Sequence, residues 1–493
     1  MEFVRPMIKV RSVWQLIAFL VIGLMTFYMM VPFESTTRVL LLILLFPALV
    51  FVLPPAIRSG LRNSLTLFRA LTWQHGLWFL LFLSGLVFRL RDVQDINKDP
   101  VDAWAIFRMA LEMVVAVVLV ARLVARRTPW LGVLFQGLLG VVAAYLFVCF
   151  FSILWSVKPA WTLFKSGEYT VDLAVLAAIL VSVTSTEEYE RLLNWTWVLL
   201  GIVLGTTWLG AIIDPTDALQ GGQELGTLGY ELRGIFPVLS SDSVGEFSAI
   251  LGIVMLSRLV LHRGEESDRA WYRLLLAGSF VTLVFSQARS ALGGFLFGTV
   301  VVLFLSRRFL LTALLGLAGA VVFVFTDSAQ YVWNFVLRGQ EEQQFQSLSS
   351  RADWWQFAWE QFLRHPWTGY GAYAGGRFVV MAGLQMPGTP DVHSSFVETL
   401  VDTSVWGLMP LIVVLLAVWF YLLRGVRHSR LSQVESYLAI ELTAVLGVLS
   451  VRSVLSTNLI SHPALPFLAV LGFAELMRRR QKFGDRAFLS IGN

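Results

Sequence analysis

FVTLVFSQARSALGGFLFGTVVVLFL, residues 280–305, decides the fold. Two uncharged apolar runs flank one short polar turn that carries Arg289. Taken with the residues from 271 on, the stretch reads as a hairpin of two membrane helices, at 271–287 and 289–306. A helix needs about 20 apolar residues to cross a hydrocarbon core. An ionisable group at membrane depth is costly and marks function by default. Arg289 is therefore either a snorkelling interfacial side chain or a guanidinium that meets phosphate oxygens.

The rest of the chain repeats this pattern. Of 493 residues, 57% are hydrophobic and 14% charged, and the mean hydropathy is +0.70. A soluble domain carries about a quarter charged residues, so these proportions exclude a water-covered globule. The fold class expected is all-α, a polytopic helical membrane protein with about twelve to fourteen spans in a single membrane domain, 1–493. The spans are expected near 14–31, 39–54, 71–88, 103–121, 131–154, 170–185, 192–213, 244–261, 271–287, 289–306, 309–326, 404–423, 437–455 and 463–477. The basic, apolar N-terminus lacks a small-residue cleavage site and reads as a retained first helix. The single cysteine, Cys149, lies in an apolar run and excludes a disulfide framework.

The net charge of +5 bears on topology rather than on nucleic acid. Most Lys and Arg fall in alternate loops and in the C-terminal tail. By the positive-inside rule both termini are cytoplasmic. The chemically interesting segments then share the outer face. They are 155–168, 214–243, the turn 287–289 and a long loop, 327–393. Within that loop, residues 350–366 read as an amphipathic helix. Ser350 and Asp353 give a capping-box-like start and Pro366 a stop. Trp355, Trp359 and Phe362 share one face and suit a membrane interface. The glycine-rich stretch GYGAYAGG, 369–376, follows as a flexible turn.

His393 precedes an apolar helix at the outer boundary. It is either a capping histidine or a general base, since histidine titrates near neutrality. Glu398 and Asp402, spaced i,i+4 on the helix that follows, are supporting candidates. They either orient the imidazole or form a solvated first turn that favours the helix dipole. Arg233 is either paired with Glu231 on the surface or available to an anion. Arg351 opens the amphipathic helix, where a cation opposes the dipole, so its partner is Asp353 or a ligand phosphate. The six histidines show no metal-ligand spacing, and no GxxxxGK[ST] nucleotide loop is present. No metal and no cofactor is expected.

Five stretches in order resemble the O-antigen ligase and polysaccharide polymerase superfamily of integral membrane glycosyltransferases: ILWSVKPAWTLFKSGEY (153–169), LRGIFPVLSSDSVGEFSA (232–249), SQARSALGGF (286–295), SSRADWWQFAWEQFLRHPWTGYGAY (349–373) and HSSFVETLVDTSVWGL (393–408). The resemblance covers most of the chain from about residue 150. It implies transfer of a glycan from a polyprenyl pyrophosphate carrier to an acceptor hydroxyl at the outer face of the bacterial inner membrane, without nucleotide or metal. The implied partners are the lipid-linked glycan donor, a glycan or lipid acceptor, membrane lipids and envelope polysaccharide assembly proteins, with no nucleic acid. On matching positions, His393 is the implied base or acceptor-positioning group. Arg233 and Arg289, helped by Arg351, neutralise the departing pyrophosphate. Displacement at the anomeric carbon would invert its configuration. Ser394 stands where the family commonly has asparagine, and Ser404 where it has glycine.

Within the family the 155–168 segment favours a polymerase over a ligase that transfers to a lipid or protein. A transporter of small solutes or ions is the alternative of another class. It requires paired acids near mid-membrane, and Glu112, Asp172, Glu441 and Glu475 read as isolated. A polyprenyl-phosphate-sugar transferase would carry an acidic first external loop, and VPFESTTR (31–38) holds one acid.

Overall fold

The computed structural model describes residues 56–87, 102–125, 129–221, 229–309, 313, 316–317, 351–386, 389, 391–427, 432–462 and 464–483. The expected spans at 14–31 and 39–54, most of that at 309–326, the loop stretch 327–350 and the Ser350 cap lie outside the described residues.

The described chain is helical. In order the helices are α1 (56–69), α2 (Trp73–Leu86), α3 (Ala103–Val124), α4 (Trp130–Leu134), α5 (Gly137–Phe151), α6 (Pro159–Ser182), α7 (Thr186–Ile213), α8 (Pro215–Ala218), α9 (Ser241–Val260), α10 (Glu266–Phe285), α11 (Arg289–Leu305), α12 (Arg351–Arg364), α13 (Ser395–Arg427), α14 (Gln433–Leu455) and α15 (Leu465–Phe483). Six of the described helices, α3, α5 with the turn after it, α7, α9, α13 and α14, are long and apolar enough to cross a membrane. Among the described residues strand is confined to two ribbons between α8 and α9. β1 (Leu219–Gly221) pairs antiparallel with β2 (Tyr230–Leu232), and β3 (Gly234–Ile235) with β4 (Val238–Leu239).

Two expected boundaries shift for local reasons. The short span at 170–185 is the C-terminal half of α6, which starts at Pro159 and runs 24 residues. Proline at the first helical position lacks only a donor that would be orphaned anyway, so most of 155–168 is helix rather than loop. The span at 131–154 is two helices, α4 and α5, separated at Gly137 with φ +56°. Glu475 then caps α5 by accepting the Leu138 N–H at 3.0 Å.

Packing in the bundle relies on close approach. α11 lies along α14. A Cβ at Gly294 would lie 3.1 Å from the Val448 carbonyl, and one at Gly298 3.1 Å from the Ala444 carbonyl. Small residues four apart let membrane helices meet at backbone distance, where dispersion replaces the absent hydrophobic drive.

A second, small core sits at the end of the bundle that carries His393. Ala358 of α12, Val380 and Met381 of the π-helix Gly376–Met381, Val392 and Val401 of α13 are buried together. Two of the three side chains expected to form an interfacial stripe on α12 pack on protein. Trp355 donates its indole N–H to the Val392 carbonyl at 3.0 Å, and Phe362 is buried. Trp359, tilted against Phe362 at 5.1 Å, keeps an exposed face, joined by Leu363 and Trp367. The helix docks on the protein because the face at 354, 355, 358, 361 and 362 has a partner there.

The glycine-rich turn is held, not flexible. α13 breaks at Ser404, whose φ of +61° and ψ of −157° suit glycine. The break frees two carbonyls. Tyr370 N–H donates to Val401 at 3.1 Å and Gly371 N–H to Asp402 at 2.9 Å. Ser404 Oγ donates to the Pro366 carbonyl, which holds serine in a conformation that suits glycine. From the other side Trp155 donates to the Thr368 carbonyl at 2.9 Å, Trp161 to Tyr373 at 3.0 Å and Thr162 to Ala372 at 2.8 Å. Gly371 has φ +102°, and a Cβ there would overlap Ser156. Gly371→Ala is expected to destabilise the protein by at least about 1–3 kcal/mol, read as a fall in the melting temperature of the solubilised chain. An unchanged melting temperature would contradict this clamped turn.

Candidate functional site

Three segments at the His393 end of the bundle meet around a cavity of about 470 Å³. They are the start of α9, the loop before α13 and the turn between α14 and α15.

The loop before α13 positions His393. Asp391 Oδ1 accepts the His393 backbone N–H at 2.7 Å, an Asx turn that holds His393 at φ +54°. The same oxygen lies 3.2 Å from His393 Nδ1. A carboxylate there favours the tautomer with its proton on Nδ1, which leaves the Nε2 lone pair for substrate. The Trp354 ring covers the imidazole at 5.7 Å. Asp391 Oδ2 accepts from Thr457 Oγ1 at 3.1 Å, so the carboxylate is fixed from both sides. His393, at 28% side-chain exposure, remains reachable.

The expected orienting acids do other work. Glu398 and Asp402 are both buried, so the solvated first turn is overturned. The chain from 366 to 392 folds over the start of α13 and covers them. Glu398 Oε2 accepts the Val392 N–H at 2.9 Å. Asp402 accepts the Tyr373 N–H at 2.6 Å and the Gly376 N–H at 3.1 Å. They shape the loop on which His393 sits, and Asp391 is the carboxylate beside its ring. Asp391 lies two residues before the histidine, and that spacing is the Asx-turn signal that could have revealed it.

Opposite the histidine is a buried arginine that the sequence reading passed over. Arg452 of α14 donates from Nε to Glu246 at 3.0 Å and from Nη1 to Ser290 Oγ at 2.6 Å. From Nη2 it reaches the Asp242 carbonyl at 3.4 Å. Its Nη1 also lies 3.7 Å from Asp242 Oδ1. Arg351 approaches the same carboxylate, with Nη2 3.8 Å from Asp242 Oδ2. Asp242 is a protein partner of Arg351 beyond the Asp353 expected, because α12 brings its first turn toward α9. Asp242, Glu246, His393, Asp391 and Arg452 all line the cavity.

Arg233 and Arg289 lie beside this group. Arg233 pairs with Glu231, which also accepts from Ser241 Oγ at 3.0 Å. The ion-pair reading of Arg233 therefore holds, and the residue is not among those lining the cavity. Arg289 is half-buried at the first position of α11 and is not among them either. Its neighbour Ser290 binds Arg452, which brings the turn to the same corner of the bundle. The turn is tied to β2 by Gln287, which donates to the Tyr230 carbonyl.

The acids expected to be isolated are all partnered. Glu441 accepts from Arg258 Nε at 2.9 Å and from Trp197 at 3.1 Å. Glu475 accepts from Arg478 and Arg479, each at 2.7 Å. Glu112 and Asp172 join Arg108, Lys165, Glu168 and His462 in one buried cluster behind the cavity. Residues far apart in sequence supply each set, so only packing could disclose them. Among the described residues no three His, Cys, Asp or Glu side chains converge as a metal ion requires.

Residues 274–412 match the family model described as O-antigen ligase. That stretch is similar to an O-antigen ligase domain. This domain holds His393, Asp391, Arg289, Arg351, Glu398 and Asp402, while Arg233, Asp242, Glu246 and Arg452 come from outside it. The match is to a family of membrane ligases and polymerases, and six described helices are long and apolar enough to cross a membrane. No curated protein matches the chain.

Proposed function

We infer that this protein is a metal-independent membrane glycosyltransferase. It moves an oligosaccharide or polysaccharide from a polyprenyl pyrophosphate to an acceptor hydroxyl at the outer face of the bacterial inner membrane. The observation that carries this reading is Asp242, held between Arg351 at 3.8 Å and Arg452 at 3.7 Å, in the cavity that His393 lines. A carboxylate bridging two guanidiniums marks where phosphate oxygens can take its place.

The chemistry follows. His393 Nε2 takes the proton of the acceptor hydroxyl as its oxygen attacks the anomeric carbon. The bond from that carbon to the pyrophosphate oxygen breaks, and its electron pair leaves on the pyrophosphate. Arg452 and Arg351, with Arg289 at the adjoining turn, stabilise the charge that develops. Such preorganised stabilisation is commonly the largest catalytic contribution. Attack opposite the leaving group inverts the anomeric centre. Asp391 holds the imidazole in the tautomer that exposes Nε2.

The likeness of 155–168 to exopolysaccharide polymerases supports polymerisation over ligase-type transfer to a lipid or protein. Expression in a host that makes the cognate lipid-linked repeat, but lacks its own polymerase and ligase, separates them. A ladder of glycans of rising length means polymerase. A single shift onto an acceptor lipid means ligase. An unchanged glycan profile, with the protein folded in the membrane, overturns glycosyl transfer. The buried acids Glu112, Glu168 and Asp172 favour transport as the second reading, which that last outcome would leave standing.

A further inference from the structure

Residues 456–462, STNLISH, join α14 to α15 and form a wall of the cavity through Ser456, Thr457, Asn458, Ser461 and His462. The segment lies outside the O-antigen ligase match. Its side chains are hydroxyls, an amide and an imidazole. Asp242, Glu246 and Arg452 line another part of the same cavity. The cavity therefore has a charged side and a neutral, hydrogen-bonding side.

The neutral wall is fixed at several points. Ser395 donates to the Ser456 carbonyl from its N–H at 2.9 Å and from its hydroxyl at 3.0 Å. Tyr169 donates to the Leu459 carbonyl at 2.8 Å. Leu459 and Ile460 are buried in the main core. His462 is held between Asp172, at 2.8 Å from Nδ1, and Ser84, at 2.8 Å from Nε2. Polar groups locked this way are preorganised for a ligand.

Hydrogen-bond accounting shows what His462 does. The Ser84 hydroxyl gives its proton to the Leu81 carbonyl at 2.7 Å, so His462 Nε2 must donate to Ser84. Burial, aided by the Arg108 charge, pushes the His462 imidazole down to about 3, so the ring is neutral, with Nδ1 at 2.8 Å from Asp172. Both ring nitrogens of His462 are committed, which leaves His393 as the cavity's base and makes His462 a rigid floor.

Asn458 is different. Its Oδ1 is shielded from water and has no hydrogen-bond partner among the described residues. Its Nδ2 has one long contact, 3.4 Å, to the Leu449 carbonyl. A shielded acceptor left unmet is costly, and native structures rarely keep one without a reason.

We propose that the 456–462 wall is the sugar subsite of this cavity and that Asn458 is a specificity residue in it, its weakly held amide turning on sugar binding so that Oδ1 accepts a hydrogen bond from an O–H or N–H of the ring joined to the pyrophosphate. That ring must lie in the cavity, because reaction occurs at its anomeric carbon. The assignment rests on the glycosyl transfer reading above.

The test uses the full chain in lipid nanodiscs. Asn458→Leu keeps the size and removes the acceptor. Its melting temperature should equal or exceed that of wild type, because the group removed was unmet in the free protein. Binding of farnesyl pyrophosphate, a probe of the charged side alone, should be unchanged. Transfer from lipid-linked glycans extracted from a host that makes the cognate repeat should fall about 10- to 100-fold in kcat/KM, the range of one hydrogen bond. Asn458→Ala should behave likewise. Wild-type transfer by either variant overturns the assignment, as does a parallel loss of farnesyl pyrophosphate binding. Wild-type protein that neither binds farnesyl pyrophosphate nor transfers glycan overturns the transferase reading and this inference with it, a failure visible without any Asn458 variant.

Discussion

His393→Asn is expected to lower glycan transfer about 10²–10⁴-fold, the contribution of a positioned general base, without lowering the melting temperature. Asparagine is the informative replacement. His393 sits at φ +54°, which asparagine tolerates and alanine resists. Loss of activity in the alanine variant would mix missing chemistry with a distorted loop. Asp391→Asn should cause a smaller drop. Its amide oxygen can still accept the His393 N–H, but it no longer places a negative charge 3.2 Å from Nδ1. Full transfer by His393→Asn in the glycan-ladder assay would remove the histidine from the mechanism. Equal losses in folding and activity would reduce it to a capping residue.

Arg452→Gln should be the most damaging single change on the charged side, for two reasons that can be separated. The Arg452 side chain is 3% exposed and Glu246 13%. Removing the cation strands the acid, at about 3–5 kcal/mol. Losing one preorganised charge at the leaving group should also cost about 10²–10³-fold in turnover. The double replacement Arg452→Leu with Glu246→Leu distinguishes them. Exchanging a buried pair for apolar side chains is often neutral for stability, so the melting temperature should recover while transfer does not. Recovery of both would make Arg452 a structural strut and return the pyrophosphate to Arg289 and Arg351.

The two arginine sets show what sequence can disclose. Arg289 stood out because its surroundings within a few residues are apolar, and the cost of a charge there is local. Arg452 lies in a comparable run, but its importance comes from Glu246, 206 residues away, and from Ser290, 162 residues away. No window along the chain contains those pairs. The amphipathic pattern on α12 gave the helix correctly but not what covers it. A tryptophan stripe looks the same against lipid as against protein, and Trp355 finds the Val392 carbonyl. Ser404 looked like a departure from the family pattern until its backbone conformation explained why glycine would suit the place.

Hydropathy, the turn at 286–289 and the histidine ahead of an apolar helix determined by themselves a helical membrane protein with His393 at one end of the bundle. These follow from chain-local energies, namely the transfer of apolar segments and the punctuation of proline and glycine. The tertiary structure decided the rest. It set Asp391 beside the imidazole and placed Arg452 and Arg351 on Asp242. It also turned Asp402 and Glu398 to holding the loop, and it brought 456–462 into the cavity wall. Each of these is a pairing of polar groups under low dielectric. Such pairings exist only once packing has excluded water from between distant parts of the chain.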